Sequence, residues 1–140
     1  LAIDPNGRIY VGAETEIGYL SPDSVGRMQY VSLMANVPEQ YRDFGEVWET
    51  LATDHGIYFR ASEYLFRWKI SNASGQGDLH VWKPKTSFYS VFLVEDKLYV
   101  QQQEIGMMEV AGDSLQLAPA GEKFPRKWIY VMLPFDQTEY

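Results

Sequence analysis

One pattern returns three times in this chain, and it constrains the fold more than any other feature. A turn is followed by apolar–Tyr–apolar: Ile9-Tyr10-Val11, Ile57-Tyr58-Phe59 and Leu98-Tyr99-Val100. The tyrosines are about 48 and then about 41 residues apart, a period in the range of propeller-type repeats. Each copy carries a second apolar cluster seven or eight residues further on, at 17–20, 65–68 and 105–108.

The flanks repeat as well. A short apolar or alternating run precedes each turn: "LAI" from Leu1, "VWETLA" from Val47 and "YSVFLV" from Tyr89. A fourth such run, "WIYVML", starts at Trp128. After each second cluster comes one more run: "MQYVSL" from Met28, "LHVW" from Leu79 and "LQLA" from Leu115. Turn chemistry separates the runs. "DPNG" (4–7) sets proline and then Asn-Gly for a tight hairpin, and "DHG" (54–56) and "EDK" (95–97) fill the same slot. No stretch of 12 residues keeps a helical apolar period. The best candidate, "VPEQYRDFGEVW", is broken by Pro38 and Gly45.

Four short antiparallel strands per unit describe the blade of a β-propeller. A β-sandwich with hairpins of similar length is the competing all-β reading, but a sandwich does not require Tyr in one register three times. The expected fold is therefore all-β: a partial β-propeller of four-stranded antiparallel blades, about three blades plus one extra inner strand. Blade 1 covers about 1–33, blade 2 about 47–82, blade 3 about 89–118, and the first strand of a fourth blade about 128–133.

The first copy, "DPNGRIYVGA" followed by "IGYLS", resembles the repeat of the two-component regulator propeller family: a strand, Asp-x-x-Gly, apolar–aromatic–apolar–Gly, then Gly-Leu and an aromatic. The other copies depart from it. Arg60 and Gln101 stand where the first has Gly12, Lys97 replaces the turn glycine, "YLFRW" replaces the Gly-Leu step and "IGMM" retains only part of it. The resemblance implies a periplasmic sensor module of a bacterial signalling protein or membrane-anchored transcriptional regulator. In such proteins the output domain is a histidine kinase or a helix-turn-helix regulator. "LAID" at the start reads as the middle of a strand, as in a piece of a longer chain, and it has no signal-peptide pattern.

Composition narrows the chemistry. The formal net charge of −7 argues against direct contact with nucleic acid or an anionic membrane, both of which select a basic footprint. No run is long enough to span a bilayer. Without cysteine there is no disulfide and no thiolate metal site. His55 falls in a turn and His80 in a presumed outer strand, so no metal or cofactor site is expected. The carboxylates Asp43, Glu46, Glu49, Glu63 and Glu104 read as solvated loop charges, and no catalytic residue is assigned. A propeller hydrolase or lyase acting on polysaccharide is the alternative, and it requires two carboxylates facing across a cleft.

Aromatic residues make up 15% of the chain. Those at the repeating Tyr register are expected in blade packing. Others fall in the connections that emerge on one face of a propeller. These suggest a ligand-binding rim of Tyr41, Arg42, Arg60, Gln101, Gln103, Arg126 and Trp128. Aromatic surface beside Arg and Gln suits a carbohydrate or peptide ligand. The expected function is thus a non-enzymatic ligand-sensing or interaction module. About three blades leave unclosed edges where about four to eight are usual, so self-association through the open edges is expected.

Overall fold

The computed structural model describes residues 1–71, 76–126, 129, 132 and 133. Among the described residues, twelve strands form three four-stranded antiparallel sheets, each an up-and-down meander. The first sheet holds β1 (Ala2–Ile3), β2 (Ile9–Ala13), β3 (Glu16–Pro22) and β4 (Met28–Ser32). The second holds β5 (Val47–Thr53), β6 (Gly56–Ala61), β7 (Leu65–Ile70) and β8 (Gly77–Trp82). The third holds β9 (Phe88–Val94), β10 (Lys97–Gln102), β11 (Gly106–Ala111) and β12 (Ser114–Leu117). Helix is confined, among the described residues, to 3₁₀ turns at Met34–Asn36, Glu39–Tyr41 and Gly121–Lys123. The second lies in the segment whose helical pattern Pro38 and Gly45 interrupt, and the first just precedes it. The all-β class and the three four-stranded sheets agree with the sequence reading. The expected strand at 128–133 falls mostly outside the described residues.

The hairpins form where the turn chemistry places them. Asp4 Oδ1 accepts from the backbone N–H groups of Asn6 (2.9 Å) and Arg8 (2.8 Å), and Gly7 takes φ +84°. Asp23 repeats the device between β3 and β4, accepting from Val25 (2.9 Å) and Arg27 (2.8 Å), with Gly26 at φ +82°. Such Asx turns satisfy backbone donors that the reversal leaves unpaired. Between β9 and β10 the reversal runs instead through Glu95 and Asp96, both at positive φ.

The chain divides into two compact units, Leu1–Phe88 and Tyr89–Tyr140. In the first unit, pairing assigns the faces. Tyr10 opposes Tyr19 and Gly12 opposes Ile17, so these four share one face of the first sheet. In the second sheet, Ile57 opposes Trp68 and Phe59 opposes Phe66. These two faces close on each other. Tyr10, Ile17, Ile57, Phe59, Phe66 and Trp68 form one buried cluster, capped by Leu33, Val37 and Phe44 from the connection between the sheets. Gly12 lets β2 approach β5: a Cβ there would stand 2.8 Å from Val47 Cβ and 2.9 Å from Thr50 Oγ1. In the second unit, Leu98, Val100, Met107, Met108 and Ala118 are buried.

A small strap returns with each sheet. The turn after the second strand bonds to the segment that follows the same sheet. Thr15 N–H donates to Gly45 O (2.7 Å), Phe88 N–H to Ser62 O (2.9 Å), and Glu104 N–H to Pro125 O (2.7 Å). No helix among the described residues is long and apolar enough to cross a membrane.

Candidate functional site

The residues expected on a rim have separate fates. In the first unit, Tyr41 ends a 3₁₀ turn and meets Tyr64 edge-on, ring centroids 5.3 Å apart. Arg42 is exposed, and its Nε donates to Val37 O at 2.9 Å. Arg60 is only 7% exposed. Its Nε pairs with Glu49 Oε2 at 2.7 Å and its Nη1 donates to Phe88 O at 3.1 Å. In the second unit, Gln101 is fully buried and its Nε2 donates to Phe124 O at 3.0 Å. Gln103 is half-buried. Arg126 is exposed and pairs with Glu104 at 2.6 Å. Trp128 lies outside the described residues.

Arg60 and Gln101 are thus buried side chains and not an exposed part of the expected rim. Both sit two residues after the repeating tyrosine, the register that Gly12 holds in the first sheet, and that register points inward. A buried guanidinium or amide needs internal partners. Both find the carbonyl of a phenylalanine in the segment that follows their own sheet. They are packing anchors. The signal was present in the sequence, since Gly12, Arg60 and Gln101 align; what a polar residue would meet there was not.

A concave surface among the described residues of the first unit lies elsewhere. A cavity of about 510 Å³ is lined by Tyr19 on β3, Ser32 at the end of β4, Leu33 and Asn36 just beyond it, Trp68 on β7, and Gln76 before β8. Its volume falls in the range typical of small-molecule sites. Its lining mixes aromatic, aliphatic and uncharged polar residues, with no carboxylate or cation. Arg8 lies over the Tyr19 ring, 4.3 Å from its centroid. Sequence reasoning did not single these residues out for binding. They come from a strand, a strand end, a connection and a turn of two different repeats, and no local motif links them. The second unit has its own cavity, about 470 Å³ and mostly apolar, lined by Tyr99, Met107, Ala118, Pro119, Phe124 and Met132 among others.

His55 is exposed in its turn, and His80 packs edge-on against Trp82 at 4.3 Å. Among the described residues no group of three His, Asp or Glu side chains could hold a metal ion. No family model, no curated protein and no solved structure matches the chain.

Proposed function

We propose that this chain is a non-enzymatic ligand-sensing or interaction module, an arc of a β-propeller. We assign it to the periplasmic sensor part of a bacterial signalling protein or membrane-anchored transcriptional regulator. The propeller reading draws support from three successive meander sheets, from the face-to-face packing of the first two, and from the strap that recurs after each sheet. The signalling and periplasmic assignments rest on the likeness of the repeat "DPNGRIYVGA" alone.

The observation that carries the binding role is the cavity of the first unit. Tyr19 offers half-buried ring surface above the buried Trp68, and Ser32, Asn36 and Gln76 offer neutral donors and acceptors. That combination fits an uncharged, hydrogen-bonding ligand, a carbohydrate or a short neutral peptide. The hydrolase or lyase alternative has less behind it. Glu49 and Glu104, two of its candidate carboxylates, are engaged by Arg60 and Arg126.

The test is a titration of the chain with neutral oligosaccharides and tripeptides, followed by calorimetry and intrinsic tryptophan fluorescence. Saturable binding that is lost in Asn36→Trp, a cavity-filling change at an exposed position, is the expected result. Absence of binding across the panel, or turnover of any polysaccharide, overturns the reading.

A further inference from the structure

The cavity of the first unit has a neutral lining, yet a positive charge stands directly behind one of its walls. Arg8 lies two residues before Tyr10, so it shares the inward face of the first sheet with Tyr10 and its cross-strand partner Tyr19. The guanidinium carbon of Arg8 is 4.3 Å from the centroid of the Tyr19 ring, and Tyr19 lines the cavity. Tyr10 packs against the same ring, centroids 5.8 Å apart and planes tilted by 56°.

This cation is not spent on an ion pair. Arg60 pairs with Glu49, Arg126 pairs with Glu104, and Arg42 donates to a carbonyl. Arg8 is half-buried, and among the described residues no carboxylate stands within ion-pair distance of its guanidinium. The carboxylate of Asp4 is turned to its own hairpin, where Oδ1 accepts from the backbone N–H groups of Asn6 and Arg8. The charge of Arg8 is felt on the inward face. Burial raises the Tyr10 phenol above 10.0, Arg8 offsets part of the rise, and Asp4 adds a little to it. Across the cavity, Lys69 and Asp78 are exposed cross-strand partners beside Trp68 and Gly77, and their opposite charges offset each other.

A cation over a ring has two consequences for what lies beyond the ring. It fixes the ring in one orientation, since the attraction is to the ring face. A ring already held loses little freedom when a ligand stacks on it. The cation also opposes a second positive charge entering the partly desolvated space next to it, where electrostatic interactions are stronger than in water.

We propose that Arg8 is the specificity-determining residue of this cavity: it holds the Tyr19 ring in place and makes the site reject ligands that carry an ammonium group in favour of their neutral hydroxyl- or amide-bearing analogues. Arg8 touches no ligand in this scheme and acts through Tyr19, as a positioning residue. The inference rests on the cavity reading given above and adds its charge rule.

The test is calorimetric titration with two matched pairs of probes. Cellotriose is compared with the β-1,4-linked trimer of glucosamine, and N-acetyl-trialanine amide with trialanine amide. Wild type is expected to bind at least one neutral probe, and the cationic partner of that probe about tenfold more weakly at about pH 6. The gap is expected to close at about pH 9, where the amine of the probe has lost its proton and Arg8 retains its own. Arg8→Met is expected to close the gap at the lower pH. Arg8→Lys keeps the charge without the planar stack; it should retain the gap while binding the neutral probe about threefold more weakly. Circular dichroism confirms folding. Absence of binding by both neutral probes overturns the cavity reading, and this inference with it. A neutral probe that binds while its cationic partner binds equally or more tightly at the lower pH overturns the inference alone. So does a gap that survives in Arg8→Met. If Arg8→Met does not fold, the wild-type comparison decides it: a gap that persists unchanged at the higher pH overturns the inference.

Discussion

Arg60 donates from Nη1 to the carbonyl oxygen of Phe88 at 3.1 Å. One repeat later Gln101 does the same for Phe124 at 3.0 Å. Where the first repeat has Gly12, the backbone itself comes close to Val47. One register therefore has three solutions to the same problem, which is how to hold the segment that follows a sheet. A small residue admits close approach, and a long polar residue reaches out to a carbonyl.

The Arg60 solution is testable by a double-mutant cycle. Arg60→Met removes the cation beside Glu49, whose side chain is 33% exposed, and the bond to Phe88. Breaking a mostly buried pair from one side is expected to cost about 2–4 kcal/mol in urea denaturation. The double variant Arg60→Met with Glu49→Met is expected to cost less than the sum of the single changes. Arg126→Ala is the control. Its pair with Glu104 is exposed on both sides, and its loss is expected to stay within about 0.5 kcal/mol.

Gly12→Ala places a methyl group against Val47 and Thr50. Overpacking of this kind costs about 1–3 kcal/mol. Adding Val47→Ala should return part of that loss, because it removes the colliding methyls. Gly7→Ala meets open space but has φ +84°, so about 1 kcal/mol is expected from backbone strain alone, with no rescue by a neighbour. Thermal or urea unfolding of the three variants separates the two causes.

The β9–β10 hairpin turns through Glu95 at φ +49° and Asp96 at φ +64°. Two consecutive residues at positive φ mark the reversal for which Asn-Gly is favoured. Replacing Glu95-Asp96 with Asn-Gly is expected to stabilise the chain by about 1–2 kcal/mol, read as a higher urea midpoint at unchanged slope. A lower midpoint would show that the native side chains make compensating contacts.

Burial raises the Tyr30 phenol above its ordinary pKa of 10.0, and the hydrogen bond to Glu16 and the charge of that carboxylate raise it further. The folded state thus retains this proton after the unfolded chain has released it. The contribution to stability is complete below pH 10.0 and is lost as pH rises through the folded value. Wild type should therefore lose stability more steeply than Tyr30→Phe above that pH. A titration of phenolate absorbance should show one fewer late-ionising tyrosine in the variant.

The sequence by itself determined the order of the twelve strands seen among the described residues. Asp-x-x-Gly turns, alternation at period two and the recurring tyrosine are local signals, and strand pairing between neighbours in the chain follows from them. Which polar side chains would face water was decided only by the tertiary structure. Arg60 and Gln101 look like surface residues in a list of loops and strand ends. They are buried because the segment following each sheet folds back over that register, a contact 28 and 23 residues away in the chain. The cavity of Tyr19, Ser32, Asn36, Trp68 and Gln76 was hidden for the same reason. Its walls come from two repeats and exist only once one sheet lies on the next. The row of cross-strand partners Ile3, Ile9, Leu20 and Tyr30 was present in the alternation of four separate strands. That Ile3 and Tyr30 are exposed while their counterparts' neighbours Ile57 and Trp68 in the second sheet are buried depends on the packing of the first sheet on the second, and that is a property of the folded chain.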